Sequence, residues 1–233
     1  MLDKEPQIIR DMFDRIASTY DLLNFVLSLS MDRRWRMMAV QGLAIKRDDV
    51  VLDIGTGTGN MALLALELSA LRVHGIDLSR RMTGIARKKA KARGLDNKYA
   101  IYLADALHMP FGDASFDKAM VAFGIRNMRD INAFLMEANR VLKPGSLFSV
   151  LELSMPGGRV FRILYSLYFR YMLPRIGGLI SGKMGAYTYL RDSVIKFPPP
   201  VKLVEMMETC GFRVLSTTPL FLGACHYYLL GKP

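Results

Sequence analysis

The run Val51-Leu-Asp-Ile-Gly-Thr-Gly-Thr-Gly-Asn60 constrains this chain more than any other. An apolar strand enters a turn with glycine at positions 55, 57 and 59, and Met61 to Leu68 then reads as a helix. Glycines put no Cβ along the turn, so the backbone can take conformations that other residues resist and a ligand can lie directly on it. Strand, glycine turn and helix in that order belong to α/β folds that bind nucleoside ligands.

Spacing narrows the ligand. The dinucleotide fingerprint is G-x-G-x-x-G, whereas this turn reads G-x-G-x-G and Asn60 stands where the last glycine would fall. A shorter turn suits a ligand without a pyrophosphate, whose amino-acid ammonium and carboxylate meet the turn while ribose and base lie further along the sheet. S-adenosylmethionine has that anatomy. The next strand-like run, Arg72-Val-His-Gly-Ile-Asp77, ends in a carboxylate about 20 residues past the first glycine, where a ribose acceptor is expected. Asp77 is therefore the expected ribose ligand; an ordinary turn with a helix-capping Asp is the alternative.

The pattern after residue 49 alternates. Strands are predicted near 50–54, 72–77, 99–103, 117–122 and 147–153, with helices over 60–69, 80–93 and 130–141. Such alternation means a parallel, doubly wound sheet with helices on both faces. Leu142-Lys-Pro-Gly145 is read as the break between helix and strand, Pro stopping the helix and Gly taking a left-handed cap. Phe212–Thr217 and Cys225–Leu230 read as two further strands, an antiparallel edge that brings the sheet to seven. Residues 5–18 place Ile9, Met12, Phe13 and Ile16 at helical spacing behind Pro6, an amphipathic helix. One domain over 1–233 follows: a helical cap over 1–44, a ligand-binding core over 45–153, an insertion over 154–202 and C-terminal strands over 203–233. A chain of 233 residues buries roughly 70 to 75% of its unfolded surface, so one core suffices.

Charge and hydropathy say where it works. Lys and Arg outnumber Asp and Glu 32 to 21, yet 51% of residues are hydrophobic and the mean hydropathy is +0.18. Nucleic acid would account for the charge alone, whereas an anionic lipid surface accounts for both. The insertion concentrates the property. From Arg159 to Lys202 there are eight basic residues against Asp192, a local charge of +7. On a helical wheel Arg159, Arg162, Ser166 and Arg170 share a narrow face within a wide apolar arc. Such a segment gains about 1 kcal/mol per basic residue near anionic lipid; a helix packed on the core with its arginines in water is the alternative. A second basic run, Arg80 to Arg93, is read as a solvated helix face. The N-terminus has no apolar signal core and no uncharged run of 18 residues occurs, so a spanning helix is not expected. Cys210 and Cys225 are too few for a disulfide framework, which suggests a reducing cytoplasm. No spacing suggests a metal site.

With the glycine turn, Asp77 and Asp105-Ala-Leu-His-Met-Pro-Phe111 on one sheet, residues 45–153 resemble the class I S-adenosylmethionine-dependent methyltransferases. Further strings narrow the resemblance: Phe13-Asp-Arg-Ile-Ala-Ser-Thr-Tyr-Asp-Leu-Leu-Asn24, Phe123-Gly-Ile-Arg-Asn127, and Leu173-Pro-Arg-Ile-Gly177 with Ala186-Tyr-Thr-Tyr-Leu190 and Phe197-Pro198. Together they resemble the family that C-methylates ubiquinone and menaquinone precursors. That resemblance implies a Rossmann-like seven-stranded, mostly parallel sheet and S-adenosylmethionine as methyl donor. It implies cofactor contacts from Asp53, Gly55, Gly57, Thr58, Gly59, Asp77, Leu78, Asp105, Ala106 and Ala122, with Asp105 meeting the adenine amino group. Ala122 stands where the family often has Ser, Asn60 where it commonly has Asp, and Leu229-Leu-Gly231 where it commonly ends in His-x-Gly. The first two departures are expected to alter cofactor contacts modestly, the last to bear on substrate identity.

A sulfonium methyl is already electrophilic, so such an enzyme mainly aligns a nucleophilic carbon and stabilises moving charge. A prenylated quinol becomes nucleophilic when its hydroxyl loses a proton. Arg126 is the first candidate to hold the resulting oxyanion, with Asn127 beside it. Tyr20, Asp21 and Asn24 are read as a polar lid, Asp21 accepting a proton through water; helix capping is the alternative. Tyr187 and Tyr189 either line the path to the ring or are core aromatics. The rivals are methylation of another phenol or of nucleic acid, or a non-catalytic lipid carrier. Base-modifying amino methyltransferases often carry Asn or Asp then Pro-Pro-aromatic after the fourth strand, and Ala122-Phe-Gly124 stands here, so no nucleic-acid partner is expected. The expected partners are the quinol and, peripherally, the inner face of a membrane, with a homodimer or a quinone-biosynthesis complex left open.

Overall fold

The computed structural model describes residues 4–68, 70–167 and 184–233. The N-terminal segment forms helices α1 (Pro6–Ile16), α2 (Tyr20–Leu27) and α3 (Met31–Gln41). The alternating part follows as β1 (Val50–Ile54), α4 (Asn60–Leu68), β2 (Arg72–Asp77), α5 (Arg80–Ala92), β3 (Tyr99–Leu103), β4 (Phe116–Ala122), α6 (Ile131–Val141) and β5 (Leu142–Leu153). After it come α7 (Arg159–Leu167), α8 (Met184–Lys196), α9 (Pro200–Thr209), β6 (Arg213–Leu220) and β7 (Cys225–Gly231). The Leu173–Gly177 string and Arg170 lie outside the described residues.

The seven strands form one sheet in the order β3-β2-β1-β4-β5-β7-β6. Every neighbour from β3 to β5 is parallel, and β7 pairs antiparallel with both β5 and β6. Side-chain alternation along each strand feeds two cores. In β1, Val51 joins α3, α4 and α5 on one face, whereas Leu52 and Ile54 join α6 and α9 on the other. Strand order reverses between β1 and β4, which opens a crevice at their carboxyl ends, where open α/β sheets bind ligands.

The structure corrects the reading of Leu142-Lys-Pro-Gly145. Strand β5 starts at Leu142, paired with Phe116, and the register shifts before Lys118, so Gly145 at φ +75° lies inside the strand rather than capping α6. Lys232 does the capping, its Nζ donating to the carbonyls of Asn139 at 2.7 Å and Leu142 at 2.8 Å. The C-terminal strand β6 runs to Leu220 and tolerates Pro219 because it is the sheet edge.

Candidate active site

The crevice holds a cavity whose floor is the glycine turn and whose walls come from the ends of β2, β3 and β4. Gly55, Gly57, Asp77, Leu78, Asp105, Ala106 and Ala122 line it. Gly55 at φ +65° meets nothing within 4 Å of where a Cβ would stand, so the turn is an open cradle. That geometry fits an amino-acid ligand lying on the backbone. Asp77 Oδ2 accepts the Gly57 N–H at 2.8 Å and Oδ1 the Ser79 N–H at 2.8 Å, which aims the carboxylate along the cavity wall. Burial raises the Asp77 pKa, against the backbone N–H groups of Ser79 and Gly57. Asp105 is turned by its bond from the Leu107 N–H at 3.0 Å.

Asp53, Thr58 and Gly59 do not line this cavity. Asp53 lies beneath the turn, 1% exposed, accepting a bond from Thr56 Oγ1 at 2.5 Å, while Thr56 also bonds the Tyr99 hydroxyl. Burial pushes the Asp53 carboxyl up to about 7, despite the Thr56 bond and the nearby Arg36 charge. At Gly59 a Cβ would stand 3.0 Å from Ala86 Cβ, so this glycine serves the close approach of α4 and α5. Thr58 Oγ1 donates instead to the cap, to Asp21 at 2.7 Å.

Asp21 is consequently not placed as the lid's proton acceptor. Its carboxylate takes bonds from Thr58, from Asn60 Nδ2 at 3.0 Å and from Lys89 Nζ at 2.6 Å. Burial alone would raise its pKa, but the Lys89 and Thr58 bonds hold it below the ordinary value, so it is a poor base. It is no helix cap either, since its partners lie on the glycine turn and α5. Lys89 also donates to Asn60 Oδ1 at 2.8 Å, so part of the basic run of α5 is engaged rather than solvated. Asn60 therefore contacts the cap, not the cofactor cavity, and the amide serves donor and acceptor at once. Helix α1 is fixed similarly, Asp14 Oδ1 accepting from Ser79 Oγ at 2.5 Å and from the Arg81 N–H at 3.0 Å. Phe13, Tyr20, Ser79 and Met82 thus join the cavity wall; of these only Tyr20 is expected at the site from the sequence, as part of the polar lid.

A second, apolar cavity of about 340 Å³ opens beside the first. Phe13, Tyr20 and Phe123 line both, so they form the partition between the two. Tyr20, Asn24 and Arg126 provide polar points on the second, among apolar side chains including Leu23, Trp35, Phe161 and Leu190. Asn127 lies on the cofactor side and accepts from the Tyr189 hydroxyl at 3.1 Å, so Tyr189, a wall residue of the apolar cavity, ties the two together. The Tyr187 side chain lies outside the described part.

Arg126 follows β4 in a short 3-10 turn, Ile125–Asn127. Its Nη1 donates to Glu152 Oε1 at 2.7 Å and to the Phe123 carbonyl at 2.6 Å. Burial would lower the guanidinium pKa, but the charge and hydrogen bond of Glu152 together with Tyr20 and Tyr189 raise it on balance, and the group stays ionised. Its Nε is buried without a hydrogen-bond partner, as is Asn24 Nδ2. Phe123 stands at φ +59°, an uncommon conformation for a non-glycine residue, with the Arg36 guanidinium 4.9 Å from its ring centre. Glu152 was not singled out in the sequence, since one acid within β5 looks like an ordinary strand residue. His226 faces elsewhere, with Nδ1 2.7 Å from Ser154 Oγ.

Solved structures with the same architecture define the class. The [4+2]-cyclase SpnF has a TM-score of 0.72 at 18% identity, over 98% of this chain and 97% of that one. Geranyl diphosphate C-methyltransferase from Streptomyces coelicolor, solved with S-adenosyl-L-homocysteine, has a TM-score of 0.64 at 14% identity, over 85% and 79%. The chain has the fold of class I S-adenosylmethionine-dependent methyltransferases, which by itself fixes no reaction. Residues 1–229 match the model of the ubiE/COQ5 methyltransferase family, and the chain belongs to that family. It is 46% identical to the demethylmenaquinone methyltransferase of Thermus thermophilus, over 87% of this chain and 92% of that one. It is 41% identical to the ubiquinone/menaquinone biosynthesis C-methyltransferase UbiE of Geotalea daltonii, over 97% of both. The protein is an S-adenosylmethionine-dependent methyltransferase.

Proposed function

We propose that this chain methylates a ring carbon of a reduced, prenylated quinol, a demethylmenaquinol or the corresponding benzoquinol, at a membrane surface. The observation that carries the proposal is the shared partition: an apolar cavity with a buried arginine adjoins the cofactor cavity across Phe13, Tyr20 and Phe123. When bound, S-adenosylmethionine supplies a methyl group on a sulfonium. Gly55, Gly57, Asp77, Leu78, Asp105, Ala106 and Ala122 would hold it, with Asp53, Thr58 and Gly59 supporting the turn from behind. On the other side, Arg126 holds the ring oxygen once its proton has passed to water at the cavity mouth, so that the electron pair reaches the ring carbon, and the hydrogen on that carbon leaves as a proton after the methyl has arrived. The partition and the apolar walls keep bulk water from the reacting carbon, and Tyr20 and Asn24 orient the ring, while Asn127 braces Tyr189 from the cofactor side. An oxidised quinone has no hydroxyl to ionise, so the substrate is the quinol.

A prenyl tail keeps the substrate in lipid at about 0.8 kcal/mol per buried methylene. No described helix is long and apolar enough to cross a membrane; in this proposal the tail of the substrate is met at the surface. Support comes from exposed Leu22, Phe25 and Leu29 of the α2 region, Ile163 and Leu167 of α7, and Phe221 and Leu222 of the β6–β7 link. Leu29 and Phe221 also line the apolar cavity, so its mouth is apolar. On α7, Tyr165 is buried, but Ile163 and Leu167 share the exposed face with Arg162, which favours lipid over the packed-core alternative.

Radiolabelled methyl transfer to a reduced prenyl-quinol, set beside a soluble phenol and RNA, tests the proposal. Label in the quinol alone is expected; preference for phenol or RNA, or no turnover by a protein that binds the cofactor, rejects it. In the same assay Arg126→Ala is expected to lose about 100-fold in turnover with cofactor affinity near that of the parent.

A further inference from the structure

The carboxylate of Glu152 is 1% exposed and closes three hydrogen bonds: Oε2 with the Arg126 N–H at 3.0 Å, Oε1 with Arg126 Nη1 at 2.7 Å and Oε1 with the Leu153 N–H at 2.8 Å. It grips Arg126 by main chain and side chain together. The Phe123 carbonyl takes the same Nη1, and Phe123 holds its positive φ while its N–H donates to the Leu151 carbonyl at 2.7 Å. Main chain from β4 and β5 thereby fixes one edge of the guanidinium. What remains is the edge formed by Nε and Nη2, carried by a residue of the apolar cavity wall, with Nε buried and unpartnered. A buried donor with no partner costs free energy unless a ligand completes it.

We propose that Glu152 is the positioning residue of methyl transfer: it turns Arg126 so that the unpartnered Nε edge meets the ring oxygen, and by counterbalancing the guanidinium charge it sets the pH at which the seated quinol ionises. This rests on the oxyanion role of Arg126 given above. Two properties follow from one carboxylate. Orientation sets the maximal rate, since a misplacement of about 1 Å costs roughly 100-fold. Charge sets the pH at which the bound quinol loses its proton, since an unopposed cation nearby lowers that pKa by about one unit or more.

The test is the pH dependence of turnover with a short-chain reduced prenyl-quinol, for Glu152→Gln, Glu152→Asp, Arg126→Ala and the Glu152→Gln/Arg126→Ala pair. Glu152→Gln is expected to lower the high-pH plateau of kcat about 100-fold and to move the rising limb to lower pH, with S-adenosylhomocysteine affinity unchanged. Glu152→Asp keeps the charge, so its limb stays in place while its plateau lies between parent and Gln. In the Arg126→Ala background Glu152→Gln adds no further loss, because it acts through Arg126. A parental plateau and limb in Glu152→Gln, or losses that simply multiply in the double variant, overturn the proposal. A parental plateau in Arg126→Ala overturns the underlying reading instead. Should Glu152→Gln fail to melt cooperatively, Glu152→Asp decides alone: a lowered plateau that vanishes as an increment in the Arg126→Ala background supports the role, and a parental plateau removes it.

Discussion

At the scale of single residues, the ground beneath the cofactor turn is set by a buried acid. Tyr99 bonds Thr56, Thr56 donates to Asp53, and burial holds the Asp53 carboxyl at about 7 against an ordinary 3.8. A raised pKa means the folded chain binds a proton that the unfolded chain has already lost. Stability from this group is therefore present at pH 4 and is lost as the pH rises towards 7, with a slope of up to about 1.4 kcal/mol per pH unit. Asp53→Asn keeps the shape without the titration, so its urea-unfolding free energy should vary less with pH than the parent's between pH 5 and 8. An identical slope in both would place the titration elsewhere. The glycines separate into two kinds in the same way. An added methyl at Gly75 would stand 2.9 Å from Thr56 Oγ1 and from the Tyr99 ring, so Gly75→Ala should cost about 1–3 kcal/mol. At Gly55 the methyl meets open cradle, so Gly55→Ala should add about 1 kcal/mol of strain at φ +65° but weaken S-adenosylhomocysteine binding severalfold. Melting curves with and without that ligand distinguish the two.

Among the elements, α2 is the one whose position local sequence could not reveal. The strand-turn-helix of β1 and α4, the alternation through β5 and the antiparallel edge were legible because period 2 and period 3.6 are local signals. So were Gly55, Asp77 and Arg126, each next to a strand end. Asp21 reads as part of a polar lid, but it lines neither cavity, and its partners Thr58, Asn60 and Lys89 lie 37 to 68 residues away, so no spacing rule joins them. Glu152 was hidden for the same reason: its meaning is the partner 26 residues back. The clamp on α2 has unequal parts. Lys89 and Asp21 are partly exposed, and such pairs contribute about 0–1 kcal/mol. Asp21→Ala should therefore destabilise more than Lys89→Ala, since it also strands Thr58 Oγ1, which belongs to a residue only 2% exposed. Because α1 and α2 cover the cofactor cavity, both variants should release S-adenosylhomocysteine faster in stopped-flow displacement, Asp21→Ala the more so. Equal release rates in parent and variants would show that the clamp does not govern exchange.

On the scale of the whole molecule, the proposed meeting with a lipid substrate draws on the distribution of charge and apolar surface. The cofactor cavity is polar at its acids and glycines and the adjoining cavity is apolar, while exposed Leu22, Phe25 and Leu222 are chain neighbours of Leu23, Asn24 and Phe221, which line the apolar cavity. Exposed Arg33 and Arg34 at the start of α3 flank that rim with positive charge, and the chain carries a net +11. Apolar rim and basic flank act on lipid differently. The first gains from burial in the acyl boundary and is indifferent to salt, whereas the second gains from anionic headgroups and is screened beyond a Debye length of about 8 Å at physiological ionic strength. Leu22→Glu with Phe25→Glu should therefore reduce sedimentation with anionic liposomes even at low salt, because it removes apolar area and adds like charge to the lipid. Neither residue lines either cavity of the site, so turnover of a short-chain quinol in solution should stay at the parental rate while turnover of a long-chain quinol in liposomes falls about tenfold, in line with the roughly 1.4 kcal/mol of binding that two partly exposed side chains provide. Parental liposome binding in the double variant would move the docking surface away from α2, and loss of solution turnover as well would show that these side chains support the fold of the cap rather than its contact with lipid.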